Sequence, residues 1–96
     1  MKEIVWNIKS FKELSTNELY RIMKIRQEVF IIEQNCNYLD ADGNDDKAIH
    51  IWAEKEGNIL AYCRIFPAGV KYPEASIGRV LTNSQHRNMK LGKTLI

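Results

Sequence analysis

The chain has 96 residues, 45% of them hydrophobic and 27% charged, with 14 Lys and Arg against 12 Asp and Glu. That composition excludes a disordered or fibrous chain and bounds the molecule to a single domain, residues 1–96, whose core covers less of its surface than in a domain of ordinary length. A formal charge of +2 is too small to imply nucleic-acid or membrane partners without a localised patch.

No apolar run approaches the roughly 18–20 residues that span a bilayer, and the start Met1-Lys2-Glu3-Ile4 has no signal-peptide apolar region. A cytoplasmic protein is the expectation. Cys36 and Cys63 have neither metal-ligand spacing nor the density of a disulfide scaffold, and read as two small apolar residues.

Ile4, Trp6 and Ile8 alternate with Val5, Asn7 and Lys9, a strand pattern ending near Ser10. Ser15, Thr16 and Asn17 then offer N-cap side chains with Glu18 just behind. Leu19, Ile22, Met23, Val29 and Phe30 follow at helical spacing, predicting an amphipathic helix of about three to four turns. Arg26 falls inside its apolar stripe. Two readings stand: the stem packs on the core while the head reaches water at the helix edge, or the guanidinium points inward to a carboxylate or bound anion.

Residues 31–46 pass from apolar to strongly polar, with an acidic cluster of Asp40, Asp42, Asp45 and Asp46 and a turn at Gly43. An EF-hand loop needs its glycine sixth; placing Gly43 there puts Tyr38 first, where an acidic ligand belongs, so no calcium or other metal site is expected. Ile49 to Glu54 and Ile59 to Phe66 read as an antiparallel hairpin reversing over Lys55-Glu56-Gly57-Asn58. Ala75 to Thr82 reads as a further strand, with Gly78 marking a bulge or a close backbone approach. Helical character resumes near Asn88 with Met89, Leu91, Leu95 and Ile96. One strand, a helix, a hairpin, a fourth strand and the start of a helix leave an open sheet edge, so a truncated α/β domain prone to self-association as a homo-oligomer is expected.

A strand running through a turn into a helix presents unpaired N–H groups and the positive end of the helix dipole, which together favour phosphate. Arg87-Asn88-Met89-Lys90-Leu91-Gly92-Lys93 stands at such a junction; Gly92 permits close approach, and Arg87, Lys90 and Lys93 raise the local positive potential. This segment resembles the acetyl-CoA signature of the GNAT N-acetyltransferases, with Arg87 and Gly92 matching its ends and Lys90 standing where the family usually has glycine. Arg26-Gln27-Glu28-Val29-Phe30-Ile31-Ile32-Glu33-Gln34-Asn35-Cys36 followed by Asp40-Ala41-Asp42-Gly43-Asn44-Asp45 is similar to the signature of the ElaA-like group, with Asn37 replacing its usual proline. His50, Ala61-Tyr62-Cys63-Arg64-Ile65 and Ile77-Gly78-Arg79-Val80 extend the likeness over nearly the whole chain.

The resemblance implies an α/β GNAT fold with a mixed sheet, incomplete here in its C-terminal strands and helix. It implies that the pantetheine arm of acetyl-CoA pairs with free main-chain groups at Val80, Leu81 and Thr82, and that amides from Arg87 to Lys93 cradle the pyrophosphate. The implied reaction is direct transfer of acetyl to an amine, on a small molecule or a peptide. Glu33 and His50 are the candidate bases, His50 because its intrinsic pKa lies near neutrality; a hydrogen-bonded structural histidine is the competing reading. The family's thiolate acid, a tyrosine after the fifth strand, would lie beyond Ile96. A silent CoA-binding or interaction module is the alternative, and nucleic-acid binding through Arg79, Arg87, Lys90 and Lys93 is disfavoured by the weak net charge.

Overall fold

The computed structural model describes residues 3–83. Strand β1 spans Val5–Ser10. A single 3-10 turn, Phe11–Glu13, leads to helix α1, Thr16–Arg26, which continues without a break into a π-helical segment, Gln27–Glu33. A second 3-10 turn at Asp45–Lys47 precedes strands β2, Ile49–Lys55, β3, Asn58–Phe66, and β4, Ser76–Thr82. The four strands form one sheet in chain order, each antiparallel to its neighbour.

Helix α1 starts where the cap residues place it. The Ser15 hydroxyl accepts a hydrogen bond from the Glu18 amide at 3.1 Å, and the Glu18 carboxylate in turn accepts one from the Ser15 amide at 2.8 Å, a complete capping box. The helix does not keep its pitch. Beyond Arg26 the turns widen, with the Gln34 amide bonding the Val29 carbonyl at 2.9 Å, and Asn35 leaves the helix at φ 55°, a conformation that asparagine tolerates. The widened turns still keep Val29 and Phe30 on the inner side, where both are buried.

Ile22, Ile25, Val29 and Phe30 pack on Trp52, Ile59, Tyr62 and Leu81, which makes a single apolar cluster between the helix and one face of the sheet. Trp6 and Ile8 pair with Ala53 and Ile51 on the alternate register, so they point to the other face, where Ile8 is 68% exposed. The hairpin between β2 and β3 turns over Glu56 and Gly57, both at positive φ, as a two-residue type I′ turn requires. Of the four residues Lys55-Glu56-Gly57-Asn58 the reversal thus uses Glu56-Gly57, and Asn58 already opens β3.

Candidate active site: a buried ion network beside a bulged edge strand

Strand β4 carries one residue more than its partner. Leu81 lies opposite Tyr62 and Gly78 opposite Arg64, so Arg79 and Val80 together face Cys63. The bulge anticipated at Gly78 therefore falls on the two residues after it. Arg79, not the glycine, takes the left-handed conformation at φ 52°, which costs a side-chain-bearing residue about 1–3 kcal/mol. Gly78 has room to spare: a Cβ there would meet nothing within 4 Å. Among the described residues β4 pairs only with β3, leaving its outer main-chain groups available.

The positions expected to meet the pantetheine arm divide by exposure. Leu81 points into the core, Thr82 is half-buried and Val80 stands open. Residues Arg87, Asn88, Met89, Lys90, Leu91, Gly92 and Lys93 lie outside the described residues.

The segment between Gln34 and Ala48 is fastened to α1, β3 and β4 by three arginines facing three aspartates. Arg26 has no exposed surface, so the inward reading of this residue holds. Its Nε lies 3.0 Å from Asp40 Oδ2, close enough for an ion pair although poorly aligned for a hydrogen bond. Better aligned bonds run from its NH1 to Asp45 Oδ1 at 2.6 Å and from its NH2 to the Asp40 carbonyl at 2.7 Å. Arg64, on β3, grips Asp42 with both terminal nitrogens at 2.9 and 2.6 Å and reaches Asp45 Oδ1 at 2.8 Å. Arg79 donates from Nε to Asp40 Oδ1 at 3.0 Å and from NH2 to the Asp40 carbonyl at 3.2 Å, with its guanidinium 4.8 Å from the Tyr38 ring centre.

Burial opposes the charge of Arg26 and of Arg64, but the aspartate hydrogen bonds and the negative charge around them together outweigh it and raise both pKa values. The Arg64 bonds hold the Asp42 carboxyl far below the usual carboxylate range against the pull of burial. Asp40, Asp42 and Asp45 of the acidic cluster face guanidinium groups, and Arg79 is committed to them, which removes one of the four cations on which a nucleic-acid surface would depend.

His50 is fully buried at the foot of the same network. Its Nε2 lies 2.9 Å from the Asp45 carbonyl, which can only accept, so Nε2 carries the proton. Its Nδ1, 2.7 Å from the Tyr62 hydroxyl, then accepts from that O–H. Burial pushes the His50 pKa down and that of Tyr62 up, so both stay neutral near neutral pH. With both ring nitrogens engaged and no surface exposed, His50 holds the Asp45 turn on the sheet. Glu33 is placed differently, exposed at the end of the π segment, and the two candidate bases do not form a pair.

Arg64 and Arg79 did not stand out among the sequence motifs as network partners. A signal exists: Arg64 interrupts an otherwise apolar strand, Leu60 to Phe66, and a charge at such a position needs a counter-charge from elsewhere in the chain.

The described fold now has counterparts among known proteins. The family model described as the GNAT acetyltransferase family matches residues 11–96. The chain belongs to the GNAT family. Its relatives include a UPF0039 protein from Synechocystis, 38% identical over 95 residues, covering 98% of this chain and 62% of that protein. The protein ElaA of Escherichia coli is 36% identical over 95 residues, covering 97% of this chain and 62% of ElaA. In three dimensions this GNAT chain is similar to the crystal structure of an acyl-CoA N-acyltransferase from Pseudomonas aeruginosa, with a TM-score of 0.91 at 35% identity over 97% of this chain and 65% of that one. It is similar also to crystalline E. coli ElaA, with a TM-score of 0.89 at 36% identity over 97% of this chain and 64% of the other. The GNAT chain thus spans about 62% of the length of these curated relatives.

Proposed function

We propose that this GNAT chain binds acetyl-CoA along the outer edge of β4 and serves acetyl transfer to an amine, on a small molecule or a peptide. The observation that carries the reading is β4 itself: a bulged edge strand, unpaired on its outer side among the described residues, in a chain of acetyltransferase lineage. A pantetheine arm carries two amide groups that need main-chain donors and acceptors, and the edge from Arg79 to Thr82 offers both kinds. Bound there, acetyl-CoA supplies the thioester. The chain's own part is to orient that thioester, to take a proton from the acceptor ammonium and to favour loss of the thiolate. Glu33 is the exposed carboxylate of the two candidates and fits the proton-accepting role, while His50 supports the loop behind. Amides from Arg87 to Lys93 are proposed for the pyrophosphate.

Calorimetric titration with acetyl-CoA, together with thiol release measured over a panel of amines, tests this. Binding with thiol release supports transfer. Binding without release supports a silent CoA-binding module. Absence of binding removes both readings.

A further inference from the structure

We propose that Asp40 is a positioning residue for β4, fixing the left-handed conformation of Arg79 and with it the direction in which the main-chain groups of Arg79, Val80 and Leu81 leave the sheet edge. The inference rests on the reading that this edge receives the pantetheine arm.

An extra residue in an edge strand has no ladder partner on the bulged side, so its conformation is set by what its side chain holds. In most bulges with a left-handed residue that position is glycine and needs no holding; here it is Arg79, with Gly78 beside it in an ordinary conformation. The conformation is therefore selected by tertiary contact. Arg79 meets Asp40 twice, through Oδ1 at 3.0 Å and through the main-chain carbonyl at 3.2 Å, so both the side chain and the backbone of Asp40 are in its grip.

Asp40 is itself immobilised. Only 4% exposed, it is held from the other side by Arg26, whose NH2 shares the same carbonyl at 2.7 Å and whose Nε faces Oδ2 at 3.0 Å. One residue thus links helix α1 to the bulge. Arg64, opposite Gly78 on β3, holds the neighbouring Asp42, so the loop is tied to both strands at the level where their register breaks. Buried ion pairs return little net stability, because desolvation offsets their attraction, but their geometry is demanding. A bulge whose shape has to be set accurately is a use for that property.

The test compares the 96-residue chain with Asp40→Asn, Arg79→Gly and a core control, Ile22→Val. NMR reads the intense amide-to-Hα cross-peak that a positive φ creates within Arg79; calorimetry reads CoA affinity. Asp40→Asn is expected to weaken that cross-peak and to raise the CoA Kd by about tenfold to a hundredfold, the usual cost of losing a residue that orients a binding group. Arg79→Gly accepts the left-handed conformation without strain but has no guanidinium, and it is expected to lose affinity as well. Ile22→Val lowers stability without touching the loop and is expected to leave both readings unchanged. Should Asp40→Asn not fold, Arg79→Lys, which keeps the charge but not the forked grip, replaces it with the same expectation. An unchanged cross-peak in the Asp40 or Arg79→Lys variant, or wild-type affinity in Arg79→Gly, overturns the proposal. If the unaltered chain binds no CoA, the functional reading fails by itself, and the cross-peak alone decides whether Asp40 sets the bulge.

Discussion

The space between the helix and the sheet is filled in two different ways. At one end Ile22, Ile25, Val29 and Phe30 meet Trp52, Tyr62 and Leu81 in apolar contact. At the other end Arg26, Arg64 and Arg79 meet Asp40, Asp42 and Asp45, with His50 and Tyr62 at the boundary. Full burial of a side chain such as Ile22 contributes about 1.5–3 kcal/mol and is indifferent to direction. A buried ion pair contributes little net free energy but becomes a large liability once one partner is lost. The apolar end therefore holds the molecule together, and the ionic end decides where its loop and its fourth strand go.

The sharpest way to break that contrast is at Asp45, whose Oδ1 serves both Arg26 and Arg64. Asp45→Asn is expected to cost about 3–5 kcal/mol by leaving two buried guanidinium groups under-compensated, whereas Ile22→Val in the apolar cluster is expected to cost about 0.5–1.5 kcal/mol. Urea unfolding of the two variants measures both; an equal or smaller loss at Asp45 would mean that water reaches the network.

The boundary histidine gives the contrast a pH signature. The His50 pKa is lowered by burial in the folded chain, so the unfolded chain binds the proton first as pH falls. Its contribution is complete above the unfolded value of about 6.5 and is lost as pH drops from there towards the folded value, at up to about 1.4 kcal/mol per pH unit. A second loss is expected below about pH 4, where Asp42 in the unfolded chain takes up a proton that its depressed pKa refuses in the folded state. Urea midpoints recorded from pH 7.5 downwards read both steps, and His50→Gln is expected to flatten the first and leave the second.

The smallest effect lies away from both ends. Glu56 occupies the first position of a type I′ turn at φ 53°, where asparagine is preferred. Glu56→Asn is expected to raise stability by about 0.5–1 kcal/mol, visible as a higher Tm, with the pH profile of the network unaltered.

Much of this was legible along the chain. The Ser15 cap, the apolar stripe of α1, the hairpin and the fourth strand follow from local rules, and those rules act between residues a few positions apart. The inward reading of Arg26 was legible as one of two alternatives, because a charge within an apolar stripe has few solutions. The π-helical continuation was not, since a widened turn leaves no distinct periodicity over seven residues.

What the sequence by itself determined is therefore the set of elements, their order and the family likeness carried by the motif blocks. Tertiary structure alone decided which carboxylates neutralise Arg26, Arg64 and Arg79, that His50 is spent on Asp45 and Tyr62, and that Arg79 rather than Gly78 takes the left-handed conformation in the bulge. The physical reason is range. Capping and periodicity are settled within a few residues, whereas Arg79 and Asp40 are separated by 39 positions and meet only after the sheet has formed.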